Sequence, residues 1–226
     1  MKSTIILIPA RMNSTRFPGK PLTELGGKTM IERVEENCNL GDPPLICTDT
    51  KEIQDKCKFA IIDTVPYENG TERCAGAMIH LHGFYDCYIN VQGDMPDINS
   101  AMIMQVQALL NAGHDIVTLY TDLSDKDKND PNAVKLIVNN DGWAQWFGRG
   151  ITGYGQKHLG IYGFSRAALS KYLGMDKSDA ETIEGLEQLR WLYNGWKIKC
   201  AKVSFNGIEI NTPEDAAKWN SRNLSA

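Results

Sequence analysis

From Ile5 to Lys20 the chain reads IILIPARMNSTRFPGK. Ile5-Ile6-Leu7-Ile8 is an apolar run of the length of a buried strand. Pro9 is expected to end it, because proline has no N–H to give a sheet ladder. No helical or strand period runs through the residues that follow, and the next helix-like pattern starts near Thr29. Pro9 and Ala10 therefore open a loop that carries Arg11, Arg16 and Lys20 among Ser14, Thr15 and Gly19. Loops of this length in compact domains are usually functional or disordered. Cations beside small, backbone-exposing residues at the C-terminal end of a strand suit a polyphosphate. A solvated basic loop would show the same residue types, so the choice depends on the rest of the chain.

Beyond that loop, short apolar runs alternate with helix-like segments. Strands are expected at Ile5–Ile8, Leu45–Thr48, Phe59–Asp63, Tyr88–Val91, Ile116–Tyr120, Val134–Val138, Gly160–Phe164 and Ile198–Val203. Helices are expected at Thr29–Cys38, Lys51–Lys58, Glu72–His82, Asn99–Ala112, Arg166–Leu173, Ala180–Tyr193 and Pro213–Asn223. Alternation of this kind predicts an α/β fold: a mostly parallel, mixed central sheet with helices on both faces. Asp122–Asp130 and Gly148–Gly155 read as exposed loops.

At 226 residues, the chain is long enough for one large domain, with or without a small lobe. A net charge of −4 argues against a general nucleic-acid binder, yet a local cationic pocket can still take an anionic substrate. The six cysteines are scattered without a Cys-x-x-Cys pair, and Cys47, Cys87 and Cys200 lie in apolar runs. Buried free thiols are expected, not disulfides or a zinc site. The N-terminal apolar run is too short for a signal peptide, and no run has transmembrane length, so a reducing cytoplasm and no membrane partner are expected.

Several segments carry chemistry. Leu45–Asp49 reads as a second strand ending in an acidic turn, with Asp49 as an N-cap. In Asn69-Gly70-Thr71-Glu72-Arg73, Thr71 can cap a helix that has Arg73 in its first turn. A cation there opposes the helix dipole, which suggests a place for an anionic ligand. Tyr88–Val91 ends in Gln92-Gly93-Asp94, and open α/β sheets bind ligands at the carboxyl ends of their strands. A carboxylate there can hold Mg²⁺ against phosphate oxygens, and the Gln92 amide can pair with a base edge. An Asx-type turn is the plain structural alternative. Lys135 reads as a polar strand residue, Trp143, Trp146 and Phe147 as core, and His158 as a satisfied structural histidine. On a single helix over Ala180–Tyr193, Glu184 and Gln188 would share a face with Glu187 beside it, and Gly185 would cost about 1 kcal/mol. Thr212 reads as an N-cap with Pro213 at the first helical position.

Taken together, these segments resemble the sugar-activating nucleotidyltransferases, and among them the CMP-KDO synthetases (3-deoxy-manno-octulosonate cytidylyltransferases). The similarity is carried by the N-terminal loop, Gly70–Arg73, Val91–Asp94, Pro131–Lys135, Arg149, His158–Gly163, Ile183–Arg190 and Thr212–Asp215. It implies a Rossmann-like nucleotidyltransferase fold over 1–226, with a small sugar-binding or dimer lobe around 121–195. It further implies transfer of CMP from CTP to the anomeric hydroxyl of an acidic sugar. Pro9, Ala10, Arg11, Ser14, Arg16, Lys20, Thr71, Arg73, Gln92 and Gly93 would bind CTP, with Arg11, Lys20 and Asp94 as the catalytic set. Arg149, His158, Tyr162, Glu184, Glu187 and Gln188 would bind the sugar. Asp94 with Asn211 would hold Mg²⁺ or Mn²⁺. The chain departs from the family at Asp130, at Gly148, at Asn211, where relatives carry Asp, and in a shortened segment Gly150–Lys157 that bears on the pocket's lid and on a homodimer contact. These departures leave two rivals in place: another acid, such as an amino-KDO or nonulosonate, or a catalytically silent nucleotide-binding homologue.

Overall fold

Residues 2–13 and 17–224 are described by the structure, a computed structural model. In chain order, β1 is Thr4–Ala10, β2 Glu24–Leu25, β3 Lys28–Thr29, α1 Met30–Asn37, β4 Leu45–Thr48, α2 Lys51–Gln54, β5 Ala60–Ile62, α3 Gly70–His80 and β6 Cys87–Val91. Then come α4 Ser100–Asn111, β7 Ile116–Thr121, β8 Lys135–Val138, β9 Ala144–Gly148, β10 Gln156–Ser165, α5 Arg166–Tyr172, α6 Asp179–Glu184, α7 Leu189–Tyr193, β11 Lys199–Lys202 and α8 Pro213–Leu224. The chain divides into two compact units. The β1 unit comprises Ile5–His82, Asn90–Ile103 and Asn206–Ala226, and the β10 unit comprises Met1–Thr4, Gly83–Ile89 and Met104–Phe205.

In the β1 unit the strands of the main sheet pair in parallel, while β2 and β3 form a short antiparallel ribbon. Leu7 to Ala10 of β1 lie opposite Leu45 to Thr48 of β4, and Ile46 to Thr48 lie opposite Ala60 to Ile62 of β5. Leu7, Ile8, Ile46 and Val91 are fully buried, as unbroken apolar strands in a helix-covered sheet should be. β1 does not end at Pro9 as expected but runs through it to Ala10. Proline forfeits a single ladder N–H, and one residue from the strand's end that loss is tolerated. α1 starts where the pattern indicated, with Thr29 accepting from Glu32 N and Glu32 closing the capping box on Thr29 N at 2.7 Å. A second core of Leu25, Met30, Ile210, Ala216 and Trp219, with Phe17 and Ile208 against it, pins the end of the N-terminal loop and the start of α8.

In the β10 unit the sheet is mixed. β10 pairs antiparallel with β7 and β8, β8 antiparallel with β9, and β11 parallel with β7. β9 was not expected. Its signal was the Asn139–Gly142 turn, where Asn139 N donates to Trp143 O and Gly142 takes a φ of 76°. Within the strand Ala144, Phe147 and Gly148 are buried, while Gln145 and Trp146 are exposed. Phe147 is core as expected, but Trp146 is 42% exposed, because it lies on the strand's open side.

The expected helix over Ala180–Tyr193 is two helices. Gly185 caps α6 in the left-handed region, at φ 61° and ψ 42°, which glycine adopts without a Cβ clash. Glu184 and Gln188 therefore do not share a helix face; Glu184 ends α6, and Gln188 is the N-cap of α7. Across the break, the buried Arg190 guanidinium grips Glu181, with Nη2 to Oε1 at 2.6 Å and Nε within 3.1 Å of both oxygens. Arg190 also lies 4.4 Å over the Tyr172 ring, and Tyr172 Oη donates to Glu187 O at 2.9 Å. A bidentate pair of this kind fixes geometry more than it adds stability. Here it fixes the chain direction at Glu187 and Gln188. α2 is also shorter than expected, a single turn, since Ile53 is the one residue it buries.

Candidate active site

The nucleotide residues gather at the C-terminal ends of β1, β4 and β6 in the β1 unit. Gly19 takes a φ of 72° and delivers Lys20 into a short 3₁₀ turn, Lys20–Leu22, with Pro21 inside it. That places Lys20 Nζ 2.6 Å from Asp94 Oδ2, with both side chains partly exposed. Ile210 N donates to Asp94 O at 2.9 Å, which sets Asn211 next to Asp94 in the chain that crosses it. Arg11 is exposed, and its Nη1 approaches Glu68 O at 3.4 Å. Ser14 and Arg16, expected to bind phosphate, lie outside the described residues.

α3 begins at Gly70, two residues earlier than the sequence indicated. Its N-cap is Asn69, whose side chain accepts from Glu72 N at 2.9 Å, and not Thr71, which is buried inside the first turn. From an extended backbone the Asn69 carbonyl reaches the N–H of the third helical residue, the usual N-cap bond. Gly70 is needed for close approach: a Cβ there would stand 2.9 Å from Gln92 Nε2 and 3.1 Å from Pro9 Cγ. A Cβ on Gly93 would likewise meet Pro9 O at 3.0 Å. Pro9, Gly70, Gln92 and Gly93 thus form one tight junction. Arg73 is only 5% exposed. Its guanidinium donates to Asp63 O at 3.1 Å, sits 3.5 Å from Asp49 Oδ2 and lies over the Tyr67 ring. Asp49 is therefore the partner of Arg73; the residue that caps α2 is Thr50.

The residues assigned to the sugar lie in the β10 unit. Arg149 Nε donates to Glu184 O at 3.2 Å and Nη1 to Asn132 O at 2.8 Å, while its backbone N donates to Glu184 Oε2 at 2.7 Å. Gly148 leaves room for that carboxylate, since a Cβ there would stand 3.3 Å from Glu184 Oε1. His158 is buried against Phe147 and Tyr162, with ring centroids at 5.1 and 5.3 Å. Thr118 Oγ1 donates to Ile161 O at 2.7 Å, so toward His158 Nε2, 3.0 Å away, it must accept. The proton of the neutral ring is then on Nε2, and Nδ1 is left as the acceptor. Gln188 is 2% exposed, and its Nε2 has no hydrogen-bond partner among the described residues.

Two participants were not legible in the sequence. Lys135 is fully buried, and its Nζ donates to Asp130 O and Arg149 O, so it braces the backbone that carries Arg149. Thr118 sets the tautomer of His158. A strand Lys gives no pattern that separates it from a surface one, and a Thr in an apolar strand reads as β-propensity.

Burial, helped by the Arg149 charge, lowers the His158 pKa to about 3. In the unfolded chain it returns to its ordinary value near 6.5. Unfolding therefore takes up a proton between those two values, so the histidine's contribution is complete above about pH 6.5 and is lost as pH falls toward 3. His158→Gln should melt below the parent at about pH 7.5, and the gap should narrow or reverse by about pH 4.5. A gap independent of pH in thermal melts would mean that His158 is not buried neutral.

Metal donors are sparse. No group of three or more His, Cys, Asp or Glu able to hold a metal ion occurs among the described residues. Asp94 offers one carboxylate, and Asn211 one neutral amide oxygen close to it in the β1 unit.

The chain matches the cytidylyltransferase family over residues 5–198. It is 37% identical to the mitochondrial 3-deoxy-manno-octulosonate cytidylyltransferase of Arabidopsis thaliana, over 97% of this chain and 84% of that protein. It is 34% identical to the 8-amino-3,8-dideoxy-manno-octulosonate cytidylyltransferase of Shewanella amazonensis, over 96% of this chain and 97% of that one. Among solved structures it is similar to CMP:2-keto-3-deoxy-manno-octonic acid synthetase complexed with CTP, with a TM-score of 0.90, 30% identity and 99% of each chain covered.

Proposed function

The chain belongs to the cytidylyltransferase family, and from that premise we propose that it transfers CMP from CTP to the anomeric hydroxyl of 3-deoxy-D-manno-octulosonate, releasing pyrophosphate. The observation that carries this reading is the Lys20–Asp94 pair at 2.6 Å beside Gln92 and Gly93: a cation suited to phosphate oxygens next to a carboxylate suited to a divalent cation. Arg11, Lys20 and Arg73 would neutralise the triphosphate, and the Gln92 amide would help to read cytosine. Arg149, held by Glu184 and braced by Lys135, would meet the sugar carboxylate. Neutral His158 would offer Nδ1 as an acceptor to a sugar hydroxyl, and Tyr162, Glu187 and Gln188 would complete that set. Such chemistry needs charge neutralisation and alignment more than a covalent residue.

Asp94, aided by Asn211, would hold Mg²⁺ with CTP's own phosphates as further ligands. Bound there, the ion would withdraw charge from the α-phosphate and acidify the attacking hydroxyl. Among the described residues no helix is long and apolar enough to cross a membrane.

Pyrophosphate release with CTP and candidate acids tests the assignment, and ATP or GTP outperforming CTP would remove it. The Shewanella relative's name supports a second acceptor, the 8-amino-8-deoxy acid, which belongs in the same panel. A neutral ligand in place of an anionic one weakens a hard-cation site. Activity is therefore expected to need unusually high free Mg²⁺ or to favour Mn²⁺, and Asn211→Asp should lower that requirement. Thr212 still caps α8 in the variant, since Asp215 N donates to its Oγ1 at 3.3 Å. An unchanged magnesium titration would mean that Asn211 is not a ligand.

A further inference from the structure

Asn90 is the fourth residue of β6 and is 1% exposed. Neither of its side-chain polar atoms, Nδ2 or Oδ1, has a hydrogen-bond partner among the described residues. A buried amide with both ends unpaired is rare, because each unsatisfied group carries its full desolvation penalty. Nothing in the strand demands asparagine: its neighbours Ile89 and Val91 are apolar and buried, and Asn has low β-propensity. A leucine would fill the place with less cost to the free protein.

Strand alternation supplies the direction. Gln92 directly follows β6, two residues after Asn90, so the alternation of the strand carried one step past Val91 puts both side chains on the same side. That face meets the first turn of α3, because Gly70 lies against the Gln92 amide. The unpaired amide therefore lies on the same side as the nucleotide residues, one pleat behind Gln92. Gln188, already placed among the sugar-binding residues, shows the same signature: buried, with an amide nitrogen unpaired.

Resting on the cytidylyltransferase reading above, we propose that Asn90 is a further specificity-determining residue of the nucleotide site, whose amide gains its partners only when the pyrimidine ring of CTP is bound. A primary amide donates and accepts, which matches the mixed donor–acceptor edge of cytosine. The triphosphate, held at Lys20 and Arg11, would not need it.

Two consequences follow that a purely structural asparagine would not give together. Asn90→Leu should raise the melting temperature of the ligand-free protein by a few degrees, because an unpaired polar group is removed at nearly constant volume. The same change should weaken CTP binding about tenfold or more, the loss expected for one or two hydrogen bonds to a buried group. Tripolyphosphate, which has no base, should bind as it does to the parent. Asn90→Ala should show the same split between the two ligands, without the gain in stability, since it leaves a cavity.

Calorimetric titration of parent, Asn90→Leu and Asn90→Ala with CTP and with tripolyphosphate, beside thermal melts without ligand, reads all of this. Unchanged CTP affinity, equal losses for the two ligands, or an Asn90→Leu protein that melts lower or fails to fold would each overturn the proposal. If the parent itself prefers ATP or GTP to CTP, the cytidylyltransferase reading fails instead, a result visible before any variant is made.

Discussion

Asp94→Asn is expected to cut pyrophosphate release to below about one-thousandth of the parent rate, more than the 10²–10³ typical of one lost electrostatic contact in a transition state. Two effects combine. The carboxylate is the one anionic donor assigned to the metal, so its loss leaves two neutral amide oxygens where a divalent cation must bind. It is also the partner of Lys20 at 2.6 Å, so its loss frees a cation that now repels the metal and is no longer aimed. The fold should survive, because the bond from Ile210 N goes to the main-chain carbonyl of Asp94, which the substitution leaves in place. Pyrophosphate release, with a thermal melt to show that the variant is folded, measures it. Turnover within tenfold of the parent would remove Asp94 from the reaction.

Lys20→Ala is expected to lower kcat by about 10²–10³, with a melting temperature close to the parent's. Its ammonium group is partly solvated, and exposed ion pairs contribute little to stability. Its placement is nonetheless tight. Gly19 in the left-handed region, Pro21 inside the 3₁₀ turn, and Phe17 packed on the core around Met30 and Ile210 leave the Lys20 backbone little freedom. That is the preorganisation a phosphate contact needs. Lys20 and Asp94 touch, so their effects should not add, and the double variant should be no worse than Asp94→Asn alone. Unchanged kcat with CTP and the accepted acid would mean that Lys20 has no phosphate role.

Much of the site was legible because its chemistry is written locally. The loop from Pro9 to Lys20 and Gln92-Gly93-Asp94 each join a strand end to a polar run, and strand ends are where α/β sheets bind ligands; His158 and Tyr162, inside β10, were assigned only through the family resemblance. The start of α8 at Thr212 was readable for the same reason: donor and acceptor lie three residues apart. Two differences turn on one residue weighed against a long pattern. Gly185 looked like a small cost within a helix and is its terminator, and Pro9 looked like a terminator and is tolerated.

By itself the sequence determined which residues could do chemistry here, and the alternation of strands and helices that carries them, because periodicity and capping depend on neighbours in the chain. The tertiary structure alone decided what those residues touch. Lys20 and Asp94 are 74 positions apart, Arg149 and Glu184 are 35, and Thr118 and His158 are 40. No local pattern records that Arg73 is buried between Asp49 and Tyr67, that Lys135 braces Arg149, or that the Asn90 side chain has no hydrogen-bond partner among the described residues. Burial and hydrogen-bond satisfaction depend on which segments pack together, and that is settled only once the strands are in register and the helices laid across them.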